Sequence, residues 1–216
     1  MEQSLLCTIQ SREKMSRSNV TRGYGLLEGF LAKQRSTMAN RLIPSTHRRG
    51  RILDVGCGTY PLFLLNTKFP EKYGLDKIVQ ENCDKKFQNQ RITLINYDIE
   101  REYIMPFDSE YFDVVTMLAV LEHIEPKRLV KILKEIHRIL RPGGLHIMTT
   151  PAFWTGSLLR FMATLRIVSP VEIEEHKDAY NHSKLFSILQ EANFSKEKLR
   201  FGYFEIFMNI WATATK

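Results

Sequence analysis

The sequence predicts an α/β fold in which a mainly parallel sheet is covered by helices on both faces. Three observations carry this. Short apolar runs recur between residues 51 and 150, "RILDVG", "KYGLD", "RITLIN", "FDVVTM" and "GLHIMTT", each of strand length. Helix-length amphipathic stretches separate them, the clearest being "EPKRLVKILKEIHRIL". The first run ends in an acid followed by two glycines, Asp54, Gly56 and Gly58, a pattern suited to holding a ligand where a strand turns into a helix.

The 216 residues suffice for one sizeable core, so one domain is expected. Cys7, Cys57 and Cys83 contain no CxxC pair, so neither a disulfide framework nor a thiolate metal site is expected. The opening "MEQSLLCTIQSREKM" has no basic leader followed by an apolar stretch, and no apolar run is long enough to cross a bilayer. A soluble, cytoplasmic protein is the expectation. The net charge of +7 is uneven, because residues 1–50 hold nine Lys or Arg against three acids. Attraction to phosphate or anionic lipid is therefore expected at the N-terminal arm, although an ordinary solvated basic surface has the same composition.

Taken in order, "SREKMSRSNVTR" (11–22) is polar and aperiodic. In residues 23–41 the positions of Leu26, Leu27, Phe30, Leu31 and Met38, continued by Leu42, approach helical spacing and predict a helix leading into the domain. Tyr24 belongs to this element, as a packing residue or as part of a cover over a ligand. The helix at 125–140 has Pro126 in its first turn and a stripe of Leu129, Leu133, Ile136 and Leu140, with Arg138 and Arg141 near its negative end. "PGG" then stops it before the fifth strand. Asn181 reads as the N-cap of a helix in "NHSKLFSILQEANF", and two further extended runs, "KEKLRFGYF" and "EIFMNIWATATK", read as an antiparallel edge ribbon.

The turn at 54–61 separates two kinds of nucleotide ligand. Asp76, at the end of the second strand, stands where a carboxylate can accept hydrogen bonds from two ribose hydroxyls. A dinucleotide fingerprint needs a third small residue at position 61, and Pro61 stands there. Proline has no N–H and a fixed φ, so the diphosphate reading is weakened and a nucleoside without phosphate is favoured.

"LDVGCGTYP" resembles the first motif of class I S-adenosylmethionine-dependent methyltransferases, departing from it at Tyr60, where many members have glycine. Asp98 in "NYDIE", the "LAVLEHI" run, "ILRPGGLHIMTTP" and "HKDAYNHSKLFSILQEANF" follow in the order of that family, so the resemblance spans about residues 50–216. It implies a Rossmann-like seven-stranded, mostly parallel sheet with an antiparallel final strand. Residues 1–50 would be a basic arm and helix packed on or capping the domain. Residues 51–216 would be the methyltransferase domain, with an acceptor-side insertion around 151–180.

The resemblance further implies that S-adenosylmethionine is held by Asp54, Gly56, Cys57, Gly58 and Tyr60, by Asp76 and Lys77, by Asp98 and Ile99, and by Leu118, Ala119 and His123. Asp54 has a second reading, as an orienter of the glycine turn from behind. Asp98 has one as a loop-forming acid, and Tyr60 as a filler between helix and sheet. Candidate catalytic residues are His123, His176 and Tyr180. Against them stand a strand-end cap for His123 and lid packing for the other two. No metal is called for. Residues 153–168 carry Phe153, Trp154, Leu158, Leu159, Phe161 and Met162 among other apolar groups, which predicts a hydrophobic small-molecule acceptor, a lipid or glycan precursor. A nucleic acid is the less favoured acceptor, because the arm lacks the interleaved aromatics that stack bases. A noncatalytic partner protein of the same fold is a third reading.

Overall fold

A computed structural model of the chain describes residues 28–79, 87–102, 104–155 and 180–216. Seven strands form one sheet: β1 (Arg51–Val55), β2 (Glu71–Asp76), β3 (Ile92–Asn96), β4 (Phe112–Leu118), β5 (Leu140–Pro151), β6 (Leu199–Phe204) and β7 (Asn209–Thr215). Their order across the sheet is β3-β2-β1-β4-β5-β7-β6. The pairs from β3 to β5 are parallel, and β7 is antiparallel to both its neighbours. The predicted C-terminal ribbon therefore forms with one correction. It is not wholly an edge, because β7 inserts between β5 and β6 and only β6 is left outermost.

Helix α1 (Glu28–Leu42) precedes the sheet, a four-residue α2 (Leu62–Leu65) follows the glycine turn, α3 (Pro126–Ile139) joins β4 to β5, and α4 (His182–Glu191) precedes β6. Pro126 is the first residue of α3, where its missing N–H breaks no helical bond. Leu129, Leu133 and Ile136 are wholly buried, as their spacing predicts. Asn181 caps α4 by accepting a hydrogen bond from Lys184 N at 2.8 Å. Asn193 then turns the chain with φ 71°, a left-handed conformation asparagine tolerates.

Each face of the sheet has its own core. On one, Leu53, Val55, Val115 and Met117 meet Leu129, Leu133 and Ile136 of α3 and Leu185 and Leu189 of α4. On the other, Ile52, Val114 and Ile147 meet Ala39, Ile43, Phe63 and Leu64. The alternation Ile52/Leu53 along β1 sends successive side chains to opposite cores, as the strand period requires.

Two local features are set by the sheet. Helix α1, which its spacing predicts, forms within the described residues. Its buried line is Ala32, Ser36, Ala39 and then Ile43, while Phe30 is 57% exposed. These small side chains let the helix backbone lie close to the sheet. Arg48 fixes the end of α1, donating to Asn40 O at 2.7 Å and to Thr67 Oγ1 at 3.2 Å, so one charge of the basic segment is structural. Secondly, "PGG" does not separate α3 from β5. The strand ladder begins at Leu140, opposite Phe112, shifts register, and resumes where Val114 faces Leu145, with Gly143 left-handed at φ 74°.

Replacing Leu133 by Ala leaves a cavity between α3 and the sheet, and is expected to lower unfolding free energy by about 2–5 kcal/mol in a denaturant titration.

Candidate active site

Strand order reverses at β1, because β2 and β3 extend from one side of it and β4 from the other. In open parallel sheets ligands bind at such a reversal point, outside the carboxyl ends of the strands. The turn after β1 lies at that end of the sheet. Gly56 has φ 80° and Gly58 φ 69°, both in the left-handed region that side chains resist. A Cβ on Gly56 would fall 2.4 Å from Cγ2 of Val120, so the turn also requires an empty side chain beside the end of β4.

Neighbouring strand ends hold the turn. Gly56 N donates to Leu75 O at 2.7 Å, and Gly58 N donates to Asp76 Oδ2 at 2.9 Å. Asp76 Oδ1 accepts from Ile78 N at 3.1 Å. Each carboxylate oxygen has about two acceptor positions, so Asp76 keeps capacity for two further donors such as vicinal hydroxyls. Lys77 is exposed and Tyr60 is half-buried, its ring edge-on to Phe87 at 6.1 Å.

Cys57 points elsewhere. Its thiol is buried against β2, where a Cβ on Gly74 would come within 2.6 Å of Sγ, and burial pushes its pKa up. Cys57 can therefore offer a ligand its backbone only, and the thiol packs beneath the turn. Asp54 is also behind the turn. It is 5% exposed and accepts from Thr116 Oγ1 at 2.6 Å. Burial pushes its pKa to about 7, partly offset by the Thr116 bond and reinforced by the nearby Asp76 charge.

Asp98 begins the turn after β3. Its Oδ1 accepts from Glu100 N at 3.0 Å, and its Oδ2 lies 3.4 Å from Nε of the exposed Arg101. Ile99 is half-buried against the larger core and gives this turn an apolar flank. At the end of β4, Leu118 is half-buried and Ala119 takes φ 56°, with its N–H donating to Thr149 O at 3.0 Å. A 3-10 turn, Leu121–His123, follows, with His123 half-buried. Glu122 is buried and accepts from Thr150 Oγ1 at 3.2 Å.

Tyr180 is wholly buried, with its hydroxyl donating to Leu121 O at 3.4 Å. That position braces the turn carrying His123. His176, Tyr24 and most of the apolar 153–168 segment lie outside the described residues. Thr116, Val120, Gly74, Thr149 and Thr150 complete the site without having been singled out in the sequence. Their signal exists only in three dimensions, since each acts across to another strand or turn. Among the described residues no group of three or more His, Cys, Asp or Glu is placed to hold a metal ion, and no helix is long and apolar enough to cross a membrane.

The fold is that of the class I S-adenosylmethionine-dependent methyltransferases, with a left-handed glycine turn at the reversal point, one acid at the end of β2 and another after β3. Residues 53–148 match the family model described as a methyltransferase domain. An uncharacterized methyltransferase of Bacillus subtilis is 36% identical over 99 residues, covering 44% of this chain and 41% of that protein. A tRNA N(3)-methylcytidine methyltransferase of Drosophila melanogaster is 28% identical over 120 residues, covering 51% of this chain and 37% of that protein. The chain thus spans less than half the length of these two relatives. A demethylmenaquinone methyltransferase of Staphylococcus haemolyticus is 26% identical over 208 residues, 84% of this chain and 85% of that protein. In solved structures the same fold recurs in a SAM-dependent methyltransferase from Archaeoglobus fulgidus, with TM-score 0.63, 18% identity, and coverage of 85% of this chain and 94% of that one.

Two outcomes follow from the site. Gly56→Ala places a methyl group against Val120 in a left-handed backbone, and is expected to weaken S-adenosylmethionine binding about ten-fold or more by calorimetry. Asp54 has a folded pKa of about 7, above the unfolded value near 3.9, so its contribution to stability falls as pH rises from about 4 to 7. Asp54→Asn keeps an oxygen for Thr116 and removes the buried charge. Without ligand, it is expected to unfold at higher denaturant than the parent at pH 8, by an order of about 4 kcal/mol, and at nearly equal denaturant at pH 4.

Proposed function

We propose that this chain transfers a methyl group from S-adenosylmethionine to a small, largely apolar acceptor of the lipid or glycan-precursor class. The observation that carries the cofactor half is the turn at the reversal point: Gly56 and Gly58 are left-handed, Gly58 N donates to Asp76, and that carboxylate keeps acceptor capacity for ribose hydroxyls. The donor set suits a nucleoside with a positive charge, because it consists of carboxylates and backbone, with proline in place of a diphosphate-binding glycine. Asp76 would hold the ribose hydroxyls, Asp98 the adenine amino group and Ile99 the face of the base. When bound, S-adenosylmethionine supplies an electrophilic methyl group on a sulfonium.

The chain's own work is alignment and shielding. The turns at 56–58 and 118–120 would hold the cofactor, and positioning of this kind accounts for several kcal/mol of barrier lowering in such reactions. Asp54 sits behind the turn, where a ligand cation draws its carboxyl back toward the ionised form. For a hydroxyl or phenol acceptor, His123 is the residue to take its proton, since imidazole changes protonation near neutrality. Leu121 O, held by Tyr180, and Glu122, held by Thr150, keep that turn in place. An amine or activated-carbon acceptor needs no such base.

The acceptor class is supported by end-to-end similarity to the demethylmenaquinone methyltransferase and by Phe153 and Trp154, 54% and 46% exposed just beyond β5. The RNA reading draws on the tRNA methyltransferase of Drosophila melanogaster and on the basic residues 1–50. Incubating the purified chain with methyl-labelled S-adenosylmethionine, metabolite extract and total RNA is expected to place label in an organic-extractable product. Label confined to RNA would replace the acceptor proposed here. Absence of any cofactor affinity, together with a copurifying protein, would favour the noncatalytic reading.

A further inference from the structure

Asp54 and Asp76 stand at the ends of adjacent strands, both almost wholly buried, and their hydrogen bonds differ. Asp76 accepts from two peptide N–H groups, which carry their protons permanently and favour a carboxylate. Asp54 accepts from one side chain, the Thr116 hydroxyl of β4 at 2.6 Å, and among the described residues no cation acts on it. Thr116 is itself wholly buried, and its Oγ1 stands 3.3 Å from Leu53 O as well. A hydroxyl has one proton, so it serves one of these two acceptors at a time.

The pair therefore has two arrangements. With Asp54 ionised, Thr116 donates to it, and 2.6 Å is the length of a hydroxyl bonded to a carboxylate. With Asp54 protonated, the carboxyl O–H donates to Oγ1 and the hydroxyl proton turns to Leu53 O, so Thr116 is satisfied either way. Burial pushes the Asp54 pKa to about 7, the Thr116 bond draws it down and the Asp76 charge pushes it up. The remaining ionisable groups on these elements leave Asp54 without a counter-charge. Burial keeps the Cys57 thiol of the turn protonated, and Lys77 after β2 is exposed. Glu122 and the half-buried His123 stand on the turn beyond β4, where Glu122 accepts from Thr150.

We infer that Thr116 and Asp54 form a proton-exchanging pair that reads the positive charge of the cofactor. A cationic ligand settling at the glycine turn expels the carboxyl proton, and the Thr116 hydroxyl turns from Leu53 O to the carboxylate left behind. The carboxyl O–H bond breaks, its proton passes to water or buffer, and the electron pair left on Oδ1 accepts the hydroxyl proton. Linkage makes affinity depend on pH. Below pH 7 binding must remove a proton and above it need not, so affinity for S-adenosylmethionine rises about ten-fold per unit from about pH 5 to 7 and then levels. A neutral nucleoside at the same turn leaves Asp54 protonated. Thr116 is thus a positioning residue that acts through Asp54 and favours a charged methyl donor over uncharged adenosyl compounds. This inference rests on the proposed cofactor.

The test is calorimetry of the full chain in buffers of different ionisation enthalpy, which counts the protons released on binding. At about pH 6 the parent is expected to release close to one proton with S-adenosylmethionine and none with 5′-methylthioadenosine, an uncharged nucleoside. Asp54→Asn is expected to release none with either ligand, and its affinity to stay flat from about pH 5 to 7. Thr116→Val leaves the carboxylate without its donor, and is expected to weaken S-adenosylmethionine binding about ten-fold at pH 7 with 5′-methylthioadenosine unchanged, whereas Thr116→Ser restores the parent value. Retained 5′-methylthioadenosine binding shows that the turn is intact in each variant. Binding of S-adenosylmethionine by the parent without proton release, or release that persists in Asp54→Asn, overturns the pair and leaves the cofactor reading standing. Failure of the parent to bind either ligand at any pH overturns the cofactor reading, and this inference with it.

Discussion

The hydrogen bond from Gly58 N to the Asp76 carboxylate joins the turn after β1 to the end of β2, and much of the site follows from it. Peptide N–H groups in a left-handed turn have no helical or ladder partner of their own, so their direction is set by whatever accepts them. Asp76 accepts one, Leu75 O accepts that of Gly56, and the turn is pinned to β2 from two points. Gly56 is pressed from the other side by Val120. A flexible glycine loop thereby becomes a rigid rim, and the carboxylate that pins it retains acceptor positions for a ligand.

The same rim has a charge problem, and Asp54 shows how it is handled. Two carboxylates at adjacent strand ends, both almost wholly buried, repel one another. Asp76 is supported by two peptide donors, whereas Asp54 has a single hydroxyl partner and burial pushes it toward neutrality. The two acids are thus unlike although the sequence places them in similar strand-end positions. One carboxylate is tied by peptide donors, and the other is pushed by burial toward its neutral form.

Legibility in the sequence followed the range of the interaction involved. Elements set by local pattern were readable: the stripe of α3, Pro126 at its start and the Asn181 cap. The glycine turn and its two acids were readable because their spacing is imposed by one strand–turn–strand unit. The spacing of large apolar residues in α1 marks a helix but not its inner face, which the sheet sets with the small Ala32, Ser36 and Ala39. The direction of the Cys57 thiol depends on Gly74 in another strand, and the bracing role of Tyr180 depends on Leu121, 59 positions away. No pattern within either segment records those partners. The turn between β6 and β7 escaped for a related reason: an ordinary "EIFM" string gives no sign that three successive residues, Glu205, Ile206 and Phe207, are left-handed.

The placement of β7 between β5 and β6 also bears on how the chain is made. During synthesis from the N-terminus, β5 emerges with one flank on β4 and the other unsatisfied, and β6 cannot fill that flank in its native place. Some sixty residues separate the end of β5 from the strand that finally pairs with it. Through that interval a long, largely buried strand keeps bare peptide groups on one side, the condition under which nascent chains pair wrongly with each other. Only the arrival of residues 209–215 closes that flank, so the interior of the sheet is completed by the last strand in the chain.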